Sequence, residues 1–256
     1  MEVKTLLFDL DDTLYPASSG FSDHRNSMLG RFMVESLGFD NEREALALRN
    51  EYFIKYHSSM KALTVAHAEG RLPRPFVQQE MAQFWAENCD FATYAPPNPA
   101  LTRQLTSLRD DAGLTLAIFT NAPRAFCLRC LEEMDLRQVF PEHRIFAVED
   151  VLPACKPEAA AFDHVLGALK ADRSTTVMFE DSMKNIRVCH GMGMGTVLLH
   201  DVHQNSSAAT APESEAQLLG DVPMPEDPTV DVVLRRIEEL ERRIPELSRG
   251  QMRKKS

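Results

Sequence analysis

Three carboxylates follow one short apolar run: Leu6-Leu7-Phe8 leads directly into Asp9, Asp11 and Asp12. Asp9 and Asp11 stand two apart, so on a continuing strand they share a face, and the turn there should aim both into one crevice. Carboxylates that close repel strongly in a low-dielectric site and need compensation. The simplest compensation is a divalent cation with oxygen ligands, and Mg2+ is the expected ion. Taken alone, the same residues could be an acidic turn capping the next helix.

Three more polar groups follow in order. Thr120-Asn121 closes the apolar run that begins at Leu114, Lys156 stands in Cys155-Lys156-Pro157, and Glu180-Asp181 closes the run from Thr175 to Phe179. Carboxylates with Mg2+ can activate and clamp a phosphate. A hydroxyl, an amide and an ammonium can hold three phosphoryl oxygens. Each group also has an ordinary alternative: a helix cap for Thr120-Asn121 and Glu180-Asp181, a surface lysine for Lys156. All four in sequence, each in the right local context, point to one site.

The elements that must position these groups are buried strands of a parallel sheet, read from their continuous apolar runs. Open α/β sheets place ligands at the carboxyl ends of such strands, so residues far apart in sequence can converge on one edge. Further strands are expected at 144–147, at 196–199 and, as an edge strand, at 230–234. More than a hundred residues separate the first strand from the second, whereas a parallel crossover needs only a dozen or more. The excess reads as an inserted helical subdomain beside the acidic cluster, the expected form of a lid.

Within it, Met28, Phe32, Met33 and Leu37 share a helix face and Gly38 is a stop. A second helix is expected over 42–56, a third over 60–68 and a fourth over 75–87. Residues 90–99, with three prolines, read as a linker. Pro157 fits the first position of a helix opened by Lys156-Pro157. Gly191 to Gly195 follows a helix and precedes a strand, the reverse of a phosphate-cradling loop. Residues 201–227 lack periodicity and read as a mobile insertion. Residues 238–247 are amphipathic and helical, and the basic end is expected to fray. The expected division is a core of 1–16, 93–200 and 228–247, a cap of 17–92, the insertion 201–227 and a tail 248–256.

The 256 residues are 44% hydrophobic and 26% charged, with a net charge of −10. That balance supports a globular core and argues against a nucleic-acid polymer or an anionic membrane as partner. No run approaches the length of a membrane span, and the chain enters its first strand with no room for a secretion signal. The five cysteines are scattered and odd in number, which fits free thiols and a cytoplasmic setting. Cys127 and Cys130 match C-x-x-C but are expected inside a helix, without a redox or metal role.

The four segments resemble the motifs of the haloacid dehalogenase-like (HAD) hydrolases. They are Phe8-Asp9-Leu10-Asp11-Asp12-Thr13-Leu14, Ile118-Phe119-Thr120-Asn121, Cys155-Lys156-Pro157 and Phe179-Glu180-Asp181-Ser182-Met183-Lys184-Asn185. The resemblance covers about residues 1–200 and implies an α/β fold, a Rossmann-like parallel sheet core (the HAD fold) with an inserted helical cap. Asp12-Thr13-Leu14-Tyr15-Pro16 followed by Ser18-Ser19-Gly20, with Tyr52, Lys55 and Tyr56, resembles the pyrimidine 5′-nucleotidase branch. His57 stands where that pattern has a glycine, and Phe126 where it has a histidine.

By resemblance, Asp9 is the nucleophile and Asp11 the acid and base. Mg2+ is held by Asp9, the backbone carbonyl of Asp11, Asp181 and, through water, Glu180. Thr120, Asn121 and Lys156 hold the phosphoryl oxygens, and Asn185 orients Lys156 or the metal shell. Asp12 is a turn residue. The implied activity is Mg2+-dependent hydrolysis of a small phosphorylated metabolite, a nucleoside 5′-monophosphate and preferably a pyrimidine one. Ser18, Ser19, Tyr56 and His57 are expected near the leaving group. The alternatives are a sugar-phosphate phosphatase, a phosphomutase, or a non-catalytic binding protein on the same scaffold. A haloacid dehalogenase is disfavoured because C–halogen displacement has no use for Asp11.

Overall fold

A computed structural model describes residues 1–201 and 221–255 of the chain. Its centre is a six-stranded, wholly parallel sheet in the order β3-β2-β1-β4-β5-β6. The strands are β1 (Thr5–Phe8), β2 (Thr115–Phe119), β3 (Ile145–Phe146), β4 (Thr176–Glu180), β5 (Gly195–Leu199) and β6 (Val232–Leu234). All four residues of β1 are buried, as both faces of a central strand must be. Alternation assigns them to two layers. Leu6 and Phe8 join Leu116, Ile118, Val177 and Phe179 in one core. Leu7 joins Ala117, Phe119 and Met178 in the other. Phe8 lies in register with Ile118 on one side and Phe179 on the other. The chain therefore leaves β1, β2 and β4 at one edge, with Asp9, Thr120, Glu180 and Asp181 together there.

Between β1 and β2 lie α1 (Phe21–Glu35), α2 (Glu42–Tyr56), α3 (Ser59–Ala68), α4 (Gln78–Asn88), a single turn α5 (Phe91–Tyr94) and α6 (Pro99–Asp110). Local chemistry sets their ends. Asn41, Ser58 and Asn98 accept backbone N–H bonds as N-caps of α2, α3 and α6. Gly38, φ +79°, turns the chain after α1, where a Cβ would stand 2.8 Å from Arg74. Phe32, Met33, Leu37, Met81 and Trp85 are buried, and one apolar cluster runs from these helices to the sheet. The remaining helices are α7 (Arg124–Glu133), a short α8 (Val148–Val151), α9 (Ala159–Leu169) and α10 (Met183–Gly191). Phe162, Val165 and Leu166 of α9 fill the second core. Cys127 and Cys130 are buried, unpaired thiols inside α7. Among the described residues, no helix is long and apolar enough to cross a membrane.

Several expectations are corrected. The 90–99 linker contains α5, whose Phe91 is buried against Phe21 and Phe126. The helix expected to open at Pro157 begins at Ala159, with Glu158 as its flanking residue. Residues 238–247 do not form one helix. Pro245 holds Ile244 at φ −131°, ψ 58°, and the segment breaks into a 3-10 helix at Ile237–Glu239, a single α-helical turn at Leu240–Arg243 and a 3-10 helix at Pro245–Arg249. The tail is not frayed over its described residues. Val3 N–H donates to Gly250, Met252 is buried, and the Lys254 ammonium donates to the carbonyls of Gly193 and Met194. Most of the insertion expected at 201–227, residues 202–220, lies outside the described residues. Its two described flanks are anchored, with Asp201 and Asp221 both buried.

Candidate active site

Asp9 follows the last residue of β1, and its N–H continues the ladder to the Phe179 carbonyl at 3.0 Å. Its carboxylate meets Lys156, whose ammonium lies 2.6 Å from Asp9 Oδ1 and 2.8 Å from Glu180 Oε2. Lys156 is only 2% exposed. Burial alone would lower its pKa, but Asp9 and Glu180 together hold it above the ordinary lysine range. Carboxylate charge still exceeds the local positive charge. Burial first, then Glu180 and Asp11, push Asp9 well above the usual carboxylate range despite Lys156. Burial and Glu180 do the same to Asp181.

Asp9, Glu180 and Asp181 each offer an oxygen within 4.8 Å of the others. An all-oxygen, over-charged donor set of this size fits a hard divalent cation. Glu180 is the least available of the three, because Lys156 takes one of its oxygens and Ser182 N–H reaches the other at 3.3 Å.

The Asp11 carboxylate is not in that group. It turns to Arg25 of α1, with Oδ2 2.5 Å from Nη1, and accepts a short hydrogen bond from the Tyr15 hydroxyl on Oδ1. A metal ligand from Asp11 would therefore be its backbone carbonyl, as the resemblance implied. Asp12, φ +56°, accepts from Ser22 Oγ at 2.9 Å and acts as a turn residue.

Thr120 is fully buried, and its Oγ1 accepts Ala122 N–H at 2.9 Å, which leaves the hydroxyl proton to donate. The Asn121 side chain bonds the loop that carries Lys156. Nδ2 donates to the carbonyls of Lys156 (2.9 Å) and His57 (3.1 Å), and Oδ1 accepts Lys156 N–H at 3.0 Å. Both side-chain amide hydrogens are engaged by these carbonyls, so the Asn121 side chain braces the Lys156 loop. Asn185 is buried in the first turn of α10. Among the described residues, however, the hydrogen-bond acceptors of the Lys156 ammonium are Asp9 and Glu180, not Asn185.

The selectivity candidates divide. Tyr56 and His57 lie against the core loops: Cys155 Sγ–H donates to the Tyr56 carbonyl at 3.2 Å, and Asn121 reaches His57. His57 ends α2 at φ +55°, a left-handed position where glycine carries no Cβ penalty, which accounts for the glycine of the resembled pattern. Burial and the Lys184 charge hold its imidazole below the ordinary range. Ser18 and Ser19 lie in a 3-10 helix, Ala17–Ser19, ahead of α1. Ser19 Oγ accepts Phe21 N–H, and Ser18 is exposed with its N–H on Asp201.

Sequence reasoning missed two residues. Arg25 shares the α1 face of Phe21, Leu29 and Phe32, and a cation on an apolar stripe was the available signal. Asp221 left no signal. It accepts the Ser182 hydroxyl and Lys184 N–H at 3.1 Å, bracing the turn after Asp181 from a segment forty residues downstream.

Residues 3–193 match the family model of haloacid dehalogenase-like hydrolases. Phosphate metabolism protein 8 of Saccharomyces cerevisiae is 26% identical over 76% of this chain, and the match spans 61% of the yeast protein's length. A phosphoglycolate phosphatase of Pseudomonas syringae is 22% identical over 86% of this chain and 77% of its own. In fold, the chain is similar to the L-2-haloacid dehalogenase of Xanthobacter autotrophicus, with a TM-score of 0.59, 16% identity, and coverage of 94% of this chain and 97% of that one.

Proposed function

This chain belongs to the haloacid dehalogenase-like hydrolases, and from that premise we propose that it is a Mg2+-dependent phosphomonoesterase working through an aspartyl-phosphate on Asp9. The observation that carries this reading is the buried Lys156 ammonium bridging Asp9 and Glu180 beside Asp181, with a second carboxylate, Asp11, two residues on. The names of the yeast and Pseudomonas relatives point the same way.

Asp9 Oδ attacks phosphorus in line, and the P–O bond to the leaving oxygen breaks. Asp11 supplies the proton to that oxygen, then takes a proton from the water that cleaves the acyl phosphate and frees Asp9. Lys156 and the Thr120 hydroxyl bind the transferring oxygens, while Asn121 fixes the Lys156 backbone. Bound Mg2+, held by Asp9, Asp181, the Asp11 carbonyl and Glu180 through water, would neutralise the charge that separates an anionic nucleophile from an anionic substrate. Asp11 favours ester hydrolysis over dehalogenation, because only the former needs a leaving-group acid.

The favoured substrate is a nucleoside 5′-monophosphate, pyrimidine before purine, with selectivity residing in Tyr56 and His57. The cytoplasm is the proposed setting, supported by five unpaired, buried cysteines. Phosphate release by the purified protein with Mg2+ tests the reading, across UMP, CMP, AMP, sugar phosphates, phosphoglycolate and an aryl phosphate, with Asp9→Asn as control. UMP or CMP far above the rest, abolished by the substitution, is the expected result. Activity confined to sugar phosphates or to phosphoglycolate would overturn the nucleotide assignment, and no Mg2+-dependent release from any ester would overturn the hydrolase.

A further inference from the structure

Arg25 is a buried cation on a helix outside the four motif segments, and its partner is the second aspartate. It lies on α1, is 9% exposed, and places Nη1 2.5 Å from Asp11 Oδ2. Its guanidinium carbon sits 5.6 Å from the centroid of the Trp85 ring of α4 and 5.8 Å from that of Phe126 of α7. Two aromatic rings and a carboxylate thus hold a planar, buried cation. Tyr15 completes the clamp from the other side, donating to Oδ1 while Arg25 holds Oδ2. The carboxylate is thereby held in one rotamer, with each oxygen keeping a lone pair outside the clamp. Asp9, two residues earlier, answers to a separate cation, Lys156. The two aspartates are oriented independently.

We propose that Arg25 is a positioning residue for Asp11: the Trp85–Phe126 cradle presents the guanidinium that sets where Asp11 delivers a proton to the leaving oxygen. The inference rests on the acid role given to Asp11 above. No part of it requires Arg25 to touch substrate.

The step concerned is P–O cleavage: Asp11, protonated on an oxygen lone pair outside the clamp, gives that proton to the departing oxygen and becomes the carboxylate that Arg25 pairs. An alkyl phosphate leaves as a strong base and needs that proton, while 4-nitrophenyl phosphate leaves as a stable phenolate and does not. The experiment compares kcat/KM, which reports steps up to that cleavage, for an alkyl phosphate and 4-nitrophenyl phosphate. The enzymes are the parent, Arg25→Met, Tyr15→Phe, Asp11→Asn and the double variant Arg25→Met/Asp11→Asn, each checked for parent-like circular dichroism. General acid catalysis contributes roughly 10²–10⁴-fold. Misplacing the acid in Arg25→Met is therefore expected to lower the alkyl value by about 10–100-fold and the aryl value by only a few-fold. Tyr15→Phe should move the ratio in the same direction, and Arg25→Met should add nothing to it in the Asp11→Asn background.

Equal losses on both esters would overturn the proposal and make Arg25 a substrate or structural residue, as would an unchanged ratio in Arg25→Met while Asp11→Asn shifts it. If Asp11→Asn itself leaves the ratio unchanged, the acid role of Asp11 fails first. Should Arg25→Met not fold, Tyr15→Phe carries the same comparison, and an unchanged ratio there refutes the clamp.

Discussion

Lys156→Met removes the ammonium from between Asp9 and Glu180 while keeping an unbranched apolar stem in the same buried space. The two contacts, at 2.6 and 2.8 Å, are each worth about 6 kcal/mol by Coulomb's law at an effective dielectric of about 20. The desolvation of three charged groups offsets much of that. Removing one partner of a buried pair costs a net 3–5 kcal/mol, roughly, because the remaining charge stays buried. In a chain of this size that is a fall in Tm of roughly 6–20 °C.

The sign of its pH dependence follows from the groups left behind. Lys156 is held above its ordinary value of 10.5, so its contribution is complete below that pH and is lost only as pH rises through the elevated value. In the variant, Asp9 and Glu180 lose their counter-charge, and Asp9 already lies well above its ordinary 3.8. Asp9 then binds a proton in the folded state at a pH where the unfolded chain does not, so the penalty recedes as pH falls through its raised value. Urea unfolding in EDTA at pH about 8 and about 5.5 reads the effect. A destabilisation of about 3–5 kcal/mol at the higher pH and a smaller one at the lower is expected. A variant as stable as the parent at the higher pH, or a loss identical at both, would refute the assignment of Lys156 as the charge that holds the site together.

Asn121→Ala strips partners from the Lys156 N–H and from the carbonyls of Lys156 and His57, and should cost about 1–3 kcal/mol in urea unfolding; an unchanged midpoint would contradict its bracing role. Asp9 and Asp181 are pushed above the carboxylate range, which costs stability near neutral pH and is relieved as pH falls through the raised values towards 3.8. Mg2+ at about 100 times its Kd should therefore stabilise by about 2.7 kcal/mol near neutrality and by less in acid; equal thermal shifts at both pH values would contradict this. Asp221→Ala releases the Ser182–Lys184 turn and should weaken Mg2+ binding in calorimetry, with a stability loss of about 1–2 kcal/mol; parent-like affinity would show that the turn holds without it.

Legibility followed the range of the interactions. The runs at β1, β2 and β4 are apolar on both faces, so period and burial made them and their polar ends readable, and α2 matched its expected bounds of 42–56. The segment 238–247 was misread because its amphipathic period outweighed one proline in the reading, whereas the missing N–H at Pro245 decides the backbone. The bracing contacts of Asn121 had no local signal, since only the folded chain brings Lys156 and His57 to its amide. Arg25 and Asp221 act across long sequence separations, and no local pattern records which carboxylate or N–H they will meet.

The most direct test of the central claim is a rapid-quench reaction with a phosphate monoester and Mg2+, followed by peptide mass spectrometry of the acid-quenched enzyme. A phosphoryl group on Asp9 that forms within one turnover, decays with product release and is absent in Asp9→Asn is the predicted result. Steady phosphate release with Asp9 unmodified at every time point would contradict nucleophilic catalysis at this site.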